Sequence, residues 1–334
     1  RKPSARRRRG HHEGLSWPRR ISQRVRRWRL LEEVAVQIFY GAIQILGALP
    51  SRWVLKLGDF FGTLLGTLDR RGRRVAFENM KLALGEGMRD RERDRILRAS
   101  SRNIVRSIAL LLHLQPLTAR RFYDWVDAPD MHAAPEAQRI KEKGGVLVSG
   151  HIGNWELLLG LRILFDDFPP SVFLAEEIPH EAFNRVLKKL RSHGNLKSAL
   201  RKGGARAVIN VVAAGGSAGL LVDRNVRRQL GGIYAPFFGR RARTTPLPAW
   251  LALRYEVPLH PIFLFPEDDG RYRLWMGPDL TQDLEGSDHH SRMVEVLTRV
   301  NGVFEEIIRA QPELWNWTLK RWKSRPNVEL EGYP

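Results

Sequence analysis

The chain has 334 residues, of which 43% are hydrophobic and 28% charged, a balance typical of a globular protein and not of a disordered or fibrous one. It contains no cysteine, which excludes disulfide scaffolds, thiolate metal sites and cysteine nucleophiles. With 56 Lys and Arg against 36 Asp and Glu, the net charge of +20 predicts an anionic partner such as nucleic acid, lipid head groups or an acidic carrier protein.

Residues 1–29 are the most basic part of the sequence. They hold 12 Lys or Arg and a single acid, Glu13, and therefore carry +11 of the net charge. A segment with so few apolar side chains cannot bury a core, so we predict a disordered basic tail.

Residues 30–68 form two apolar stretches. Residues 34–49 carry no charge, but at 1.5 Å per residue they cover about 24 Å, less than the ~30 Å of a hydrocarbon core. In the second stretch Gly58, Gly62 and Gly66 recur every four residues, a spacing that lets helices approach closely. We predict a membrane-anchoring helical hairpin, with one shallow spanning helix or with two interfacial helices, and a buried core hairpin as the alternative. The arginines before it favour an anchor at an anionic cytoplasmic leaflet.

Residues 69–334 predict an α/β domain. Its first part, to about residue 115, has the apolar spacing of helices. Beyond residue 143, short apolar runs alternate with amphipathic stretches, which predicts a central, mostly parallel sheet flanked by helices. The predicted strands are residues 146–149, 171–174, 218–222, 233–238, 258–265 and 272–276. The predicted helices are residues 155–164, 181–191, 205–212 and 247–255, with a last helix after residue 287.

The sharpest local feature is the turn after the first of these strands, Gly145-Val-Leu-Val-Ser-Gly-His151-Ile-Gly-Asn-Trp-Glu156. Ligands of α/β proteins bind where a parallel strand ends beside a helix N-terminus, and Asn154 is a good N-cap residue. A turn would let Glu156 fold back onto the imidazole of His151, fix its tautomer and leave the other nitrogen as a general base for a hydroxyl. The alternative is a structural histidine, with a glutamate that interacts with the helix dipole.

Other candidate residues follow neighbouring elements. Asp223 ends a predicted strand and would emerge at the same sheet edge as His151, where it could orient substrate hydroxyls or pair with an arginine. Arg191 ends a predicted helix and could bind a phosphate or compensate the helix C-terminus. Ser217 lies in a GxSxG pattern, but that nucleophile motif requires a strand before the serine and a helix after it, the reverse of the order predicted here.

At the motif His151-Ile-Gly-Asn-Trp-Glu156 the sequence resembles the late acyltransferases of lipid A biosynthesis, a family that also includes phosphatidylinositol mannoside acyltransferases. The HX4D/E dyad of that family matches His151 and Glu156. The resemblance covers roughly residues 34–326. Its other matching segments, in the family's order, are Arg74-Val-Ala-Phe-Glu-Asn79, Leu221-Val-Asp-Arg-Asn225, Gly231-Gly-Ile-Tyr-Ala-Pro-Phe-Phe-Gly239 and residues 312–326.

The resemblance implies a glycerolipid-acyltransferase-like fold and the transfer of a fatty acyl chain from an acyl thioester to a glycolipid hydroxyl. The donor would be acyl carrier protein or acyl-CoA, and the acceptor a lipid A precursor. His151 would be the general base and Glu156 its partner, with no metal or other cofactor. The residues assigned to substrate binding are Arg191, Asp223, Asn154, Gly153, Phe238 and Gly239. The protein would lie at the bacterial inner membrane, with its catalytic domain on the cytoplasmic face.

Two departures from the lipid A members bear on the acceptor. Leu174-Ala-Glu-Glu-Ile-Pro179 lacks their Arg-Pro pair, and Asp223-Arg-Asn225 replaces their Asp-Gln-Asp. A phosphatidylinositol mannoside or another glycolipid is therefore an alternative acceptor. A basic nucleic-acid-binding protein is a further alternative, but the charge is concentrated beside an apolar anchor and the sequence carries no recognised binding module, so we expect no nucleic-acid partner.

Overall fold

The computed structural model describes residues 19–115, 118–128, 133–164, 167–175, 196–226 and 231–324. The predicted helix 181–191, with Arg191, lies outside these residues. The helices are α1 (Arg19–Ala48), α2 (Ser51–Leu68), α3 (Arg70–Leu84), α4 (Asp90–His113), α5 (Ala119–Tyr123), α6 (Pro135–Lys143), α7 (Leu161–Leu164), α8 (Arg201–Ala213), α9 (Leu247–Tyr255) and α10 (His289–Ala310). The strands are β1 (Val126–Asp127), β2 (Gly145–Ser149), β3 (Ser171–Ala175), β4 (Leu196–Leu200), β5 (Ser217–Leu221), β6 (Ile233–Phe237), β7 (Arg240–Thr244), β8 (Leu259–Pro266) and β9 (Tyr272–Met276).

Seven of these strands form one sheet, in the order β1-β9-β8-β2-β5-β3-β4. From β8 to β4 all neighbours are parallel, whereas β9 runs antiparallel to β8. The strands β6 and β7 pair with each other as a separate antiparallel hairpin. The predicted fold class, a mostly parallel sheet flanked by helices, is confirmed.

Strand β2 lies near the middle of this sheet and is buried on both faces. Val146 and Val148 point into a core formed with α8, α9 and α10, and Leu147 points to the opposite side, towards α4 and α6. Such a continuous apolar run is what a central parallel strand requires, because helices cover both of its faces. The carboxyl end of β2 is therefore fixed by packing on two sides.

The N-terminal helices form a layer that the sheet does not cover. Helix α1 begins at Arg19, so residues 19–29 of the predicted tail are helical, and residues 1–18 lie outside the described part of the chain. Within α1, Leu31–Ala48 is long and apolar enough to cross a membrane by length and composition alone. Helix α2 packs on α4 through the buried face that carries Gly58, Gly62 and Gly66.

The structure differs from the sequence prediction in several elements. The predicted helix 155–164 is a 3₁₀ turn at Leu157–Gly160 followed by the single turn of α7. The reason is burial: its leucines are enclosed on all sides, and a Cβ on Gly160 would lie 2.1 Å from the Phe122 ring. The predicted strand 233–238 belongs to the hairpin and not to the sheet, and β1, β4 and β7 lie outside the predicted strands.

Candidate active site

The candidate site lies at the carboxyl edge of the parallel strands, where β2 and β5 end side by side. Ser149, the last residue of β2, is paired with Leu221, the last residue of β5. The next turn of each strand then presents a polar residue, His151 from β2 and Asp223 from β5. Adjacent parallel strands place their carboxyl ends together, so residues 72 apart in sequence meet here.

The carboxylate of Asp223 holds His151 at two points. Its Oδ1 lies 2.9 Å from the imidazole Nδ1, and its Oδ2 accepts a hydrogen bond of 2.8 Å from the backbone N–H of His151. The indole N–H of Trp315 donates to the same Oδ2 at 3.0 Å. These contacts fix both the position and the tautomer of the imidazole, and no described residue hydrogen-bonds its Nε2.

The two side chains differ in their access to solvent. The side chain of Asp223 is fully buried, while that of His151 is 17% exposed. Burial opposes ionisation of Asp223, but the charge of His151 and the hydrogen bonds from its side chain, its backbone and Trp315 outweigh it, so the pKa of Asp223 lies below its ordinary value. A buried, ionised carboxylate behind a partly exposed imidazole is an arrangement that stabilises the imidazolium.

The carboxylate on Nδ1 of His151 is that of Asp223, because the turn after β2 carries His151 towards the end of β5. Glu156, predicted from the sequence as the partner of the imidazole, precedes the buried 3₁₀ turn and is 7% exposed. Its contact with His151 stays a prediction. Asp223 is 1% exposed, so its oxygens face the imidazole and not an open substrate site.

Gly153 and Asn154 shape the turn through their backbone and through burial. Gly153 has a φ of +58°, and a Cβ there would lie 2.1 Å from the carbonyl oxygen of Leu264, so only glycine fits. Asn154 is fully buried, and its Oδ1 accepts a hydrogen bond of 3.3 Å from the N–H of Leu157, as expected of a capping residue. Both residues shape the turn that carries His151, and their contact with substrate stays a prediction.

The closing segment of the described chain completes the site, and the sequence analysis assigned no role to its residues. Ile152 forms a β-bridge with Trp315, and the N–H of Asn316 donates to the carbonyl oxygen of His151 at 3.0 Å. Arg321 is also buried nearby; burial lowers its pKa to about 10, and the charge of Asp223 opposes that shift. The signal in the sequence was the match of residues 312–326 to the lipid A acyltransferases, which does not say what these residues contact.

The other assigned binding residues lie in the β6–β7 hairpin. Phe238 and Gly239 form its turn with φ values of 53° and 70°, and the N–H of Phe238 donates to Glu305 Oε1 at 2.6 Å. Their neighbour Phe237 contacts the Trp315 ring edge-on, with centroids 5.9 Å apart. Among the described contacts, none joins Phe238 or Gly239 directly to His151. Arg191, the remaining assigned residue, lies outside the described residues.

An apolar cavity of about 80 Å³ lies against the face of the sheet next to the site. Ser149, two residues before His151, lies at one end, and Ser171 and Ser217 begin their strands at the other. The cavity therefore extends along the strands away from the histidine. Its apolar lining comes from Ile140, Leu147, Leu158, Leu161, Phe168, Phe173, Ala218, Gly219, Leu220, Ile262 and Met276.

Ser217 is confirmed as part of a helix–strand loop and not of a nucleophile turn. It follows α8 and begins β5, so it lies at the amino end of the strands, opposite the end that carries His151. The described residues contain no group of three or more His, Asp or Glu side chains that could hold a metal ion.

The fold and the site together define an α/β enzyme that orients a histidine with a buried carboxylate beside an apolar cavity. The family model of the bacterial lipid A biosynthesis acyltransferases matches residues 21–324, so the chain belongs to that family. Two curated relatives are the lipid A biosynthesis palmitoleoyltransferase of Escherichia coli (strain K12) and a lipid A biosynthesis acyltransferase of Shigella flexneri. Each is 22% identical over 287 residues, which cover 82% of this chain and 87% of the relative.

Proposed function

We propose that the protein transfers a fatty acyl chain from an acyl thioester to a hydroxyl group of a lipid A precursor, with His151 as the general base. The observation that carries this proposal is the one-sided environment of the imidazole. Asp223 occupies Nδ1 from the buried side, and Nε2 is left without a described partner. Membership of the lipid A acyltransferase family supports the class of acceptor.

In the proposed reaction, Nε2 of His151 takes the proton of the acceptor hydroxyl as its oxygen attacks the thioester carbonyl carbon. The new C–O bond forms an ester, and the C–S bond breaks. The thiolate leaves with the proton returned by the imidazolium, so an ester and a free thiol are the products. Asp223 does not take up a proton in these steps; its negative charge stabilises the imidazolium while the proton is held.

Asp223 is the positioning carboxylate of this proposal, and Trp315 orients it. Glu156 keeps a proposed role as a second carboxylate of the HX4E motif, because it is buried five residues after His151. Arg191 is proposed to contact a phosphate of the donor or of the acceptor. Phe238 and Gly239 are proposed to border the acceptor, because their hairpin reaches Trp315 through Phe237.

The apolar cavity supports an acyl substrate. It begins beside Ser149 and extends along the sheet, so an alkyl chain lying in it would bring its carbonyl carbon towards His151. Acyl carrier protein is acidic and CoA carries phosphates, and the net charge of +20 would steer either donor to the protein. The acyl donor is thus proposed to be a thioester of acyl carrier protein or of CoA.

The protein is proposed to act at the cytoplasmic face of the bacterial inner membrane. Large apolar side chains that are exposed on α1 and α2 support a membrane location: Leu31, Val34, Ile38, Ile45, Trp53, Phe60, Phe61, Leu64, Leu65 and Leu68. The basic segment that precedes them supports contact with the anionic cytoplasmic leaflet. Helix α1 is proposed either to span the bilayer or to lie in its interface. In both cases α2 stays packed on α4 and presents its exposed apolar residues at the protein surface.

The central test follows the mass of the acceptor lipid after incubation with acyl carrier protein or CoA thioesters. We expect the acceptor to gain one acyl chain and the donor to release one thiol. His151→Ala and Asp223→Asn are expected to lower kcat by about 10²- to 10⁴-fold, because the first removes the general base and the second removes the charge that orients it and stabilises its protonated form. Glu156→Gln measures whether the second carboxylate contributes, and a smaller loss is expected because Asp223 holds the imidazole.

Asp279→Asn is the matched control, because Asp279 is also hydrogen-bonded but lies beside Leu259, at the opposite end of the sheet from His151. It should keep normal kcat. Release of free fatty acid without acylation of the acceptor would contradict the transferase proposal. Retained turnover in folded His151→Ala, checked by circular dichroism, would contradict the general-base assignment.

A further inference from the structure

The contact between α2 and α4 places arginine side chains beside the outer surface of α2. A Cβ on Gly62 would lie 2.5 Å from the Cα of Arg102, and a Cβ on Gly66 would lie 3.2 Å from the Cα of Arg98. The two backbones are therefore as close as glycine permits. At this separation the long side chains of α4 reach past the thin glycine face of α2.

A polar stripe on α2 lies beside these arginines, each member one residue after a glycine. Its members Asp59, Thr63 and Thr67 recur every four residues and so share one side of the helix. At the first step, Asp59 accepts a hydrogen bond of 2.5 Å from the Arg106 guanidinium. At the next two positions, Thr63 and Thr67, a hydroxyl takes the place of the carboxylate.

Arg102 and Arg98 thus lack the partner that Arg106 has. In the described part of the chain neither guanidinium makes an ion pair or a hydrogen bond, and Arg102 is only partly exposed. Beside it is an open groove of about 550 Å³. The groove is lined by Asp59, Phe60, Thr63, Leu64, Thr67 and Arg102.

The chemistry of this groove matches one phosphate group. A guanidinium fork binds the oxygens of a phosphate bidentately, and a threonine hydroxyl can donate to a third oxygen. One turn before Thr63, the carboxylate of Asp59 pairs with Arg106. Beside Thr63 a bound phosphate could pair with Arg102 in the same way.

The other side of the groove matches lipid chains. Phe60 is 62% exposed and Leu64 is 42% exposed, and both line the groove on its apolar side. A ligand with a phosphate and alkyl chains would satisfy both sides at once, whereas free phosphate would leave the apolar side in water.

We propose that the α2–α4 groove binds the phosphate head group of a membrane lipid, with Arg102 and Thr63 on the phosphate and Phe60 and Leu64 against its chains. This inference rests on the membrane location in the proposed function, but not on the acyl-transfer chemistry. It assigns to α2 a second role, recognition of a head group in addition to adsorption.

The test measures binding of the full chain to three kinds of vesicle. The vesicles are phosphatidylcholine alone, phosphatidylcholine with phosphatidic acid, and phosphatidylcholine with oleate at equal surface charge. We expect the wild type to bind phosphatidic acid vesicles about fivefold more tightly than oleate vesicles, because at equal surface charge only the phosphate can accept the paired hydrogen bonds of the Arg102 guanidinium. Arg102→Gln should abolish that preference and leave binding to phosphatidylcholine unchanged.

Two further variants keep the test independent of folding and of general charge. Thr63→Asp supplies Arg102 with the carboxylate that Asp59 supplies to Arg106, so it should also abolish the preference while every arginine remains. Arg254→Gln, at an exposed arginine of α9, removes the same charge elsewhere and should keep the preference.

The outcomes separate the possible errors. Equal losses on phosphatidic acid and oleate vesicles in Arg102→Gln would overturn the proposal in favour of general electrostatics. Binding of inorganic phosphate at Arg102 without any preference for phosphatidic acid vesicles over oleate vesicles would overturn the lipid as ligand. Failure of the wild type to bind any vesicle would overturn the membrane location together with this inference, whereas loss of acyl transfer alone would leave both intact.

Discussion

The active-site edge and the α2–α4 face use the same helix in opposite ways. On one side of α4, Ser107 Oγ donates to the carbonyl oxygen of Gly153 at 3.3 Å and Ser100 Oγ donates to that of Trp315 at 2.5 Å, so the helix supports the loops around His151. On its other side, Arg98 and Arg102 extend past α2 without an acidic partner among the described residues. Ser100 and Ser107 on the first side are buried and hydrogen-bonded, whereas Arg102 on the second side borders an open groove.

The two regions fix their geometry by different means. At the active site, side chains are held by hydrogen bonds between residues far apart in sequence, such as Asp223 and Trp315, which are 92 residues apart. At the α2–α4 face, the two helices are held together by the close approach of their backbones, which the glycine repeat permits. The two regions should therefore fail differently when they are changed.

The largest effect is expected from Gly62→Ala. A Cβ there would lie within 3 Å of three backbone atoms of α4, which cannot move aside as a side chain can. We expect the free energy of unfolding to fall by about 3 kcal/mol, measured by urea denaturation. Gly41→Ala is the control, because nothing lies within 4 Å of a Cβ at Gly41 and alanine favours a helix. Equal stability of the two variants would show that α2 does not pack on α4 as described.

A smaller effect, on catalysis, is expected from Trp315→Phe. The variant removes the N–H that donates to Asp223 but keeps an aromatic ring, so kcat should fall about tenfold through loss of one hydrogen bond to a charged group. Trp317→Phe is the matched control, because the indole of Trp317 is equally buried and donates instead to the carbonyl oxygen of Pro312. It should lose stability without losing kcat. Equal kcat values for the two variants would remove Trp315 from the positioning of Asp223.

The smallest effect is expected from Asp279→Asn, which tests how much a hydrogen-bonded carboxylate away from the site contributes to the free energy of unfolding. Burial opposes ionisation of Asp279, but hydrogen bonds from Leu259, Thr281 and Gln282 outweigh it, so the pKa of Asp279 lies below its ordinary value. A carboxyl group with a lowered pKa stabilises the fold above its unfolded pKa, and this contribution disappears as the pH falls. Asp279→Asn should therefore lower the free energy of unfolding by about 1 kcal/mol at neutral pH.

That deficit should begin to shrink as the pH falls below about 4, the ordinary pKa of an aspartate, and should disappear once the pH is below the lowered pKa of folded Asp279. Urea denaturation of both proteins across this range measures it. A deficit that stays constant down to the lowest pH at which both proteins fold would contradict the role given to the charge of Asp279.

Much of the fold could be predicted because the relevant signals are local. The apolar run of β2 and the alternating elements after it indicated a parallel sheet, and the glycine repeat of α2 indicated a close helix contact. The missed strand β7 has three arginines among its five residues, and in a two-stranded hairpin it needs no continuous apolar run. The two-residue strand β1 is too short for any pattern.

The candidate site could be predicted only in part. Its location and His151 followed from the strand, the turn and the glycine, and Asp223 was correctly expected at the same sheet edge. The hydrogen bond between Asp223 and Nδ1 of His151 was not predicted, because two carboxylates were available and the sequence favoured the nearer one, Glu156, as a partner of the imidazole. Which carboxylate reaches Nδ1 depends on how neighbouring strands end relative to each other, and Trp315 joins them through a contact that no local pattern encodes.

The β-bridge between Ile152 and Trp315 has a consequence for how the enzyme is made. During synthesis α1 and α2 leave the ribosome before β2 and β5, and the indole that orients Asp223 emerges after both strands. The apolar helices are therefore made before the catalytic pocket can be completed. A chain cut short before Trp315 would still carry its exposed apolar helices but would have an unfinished catalytic pocket.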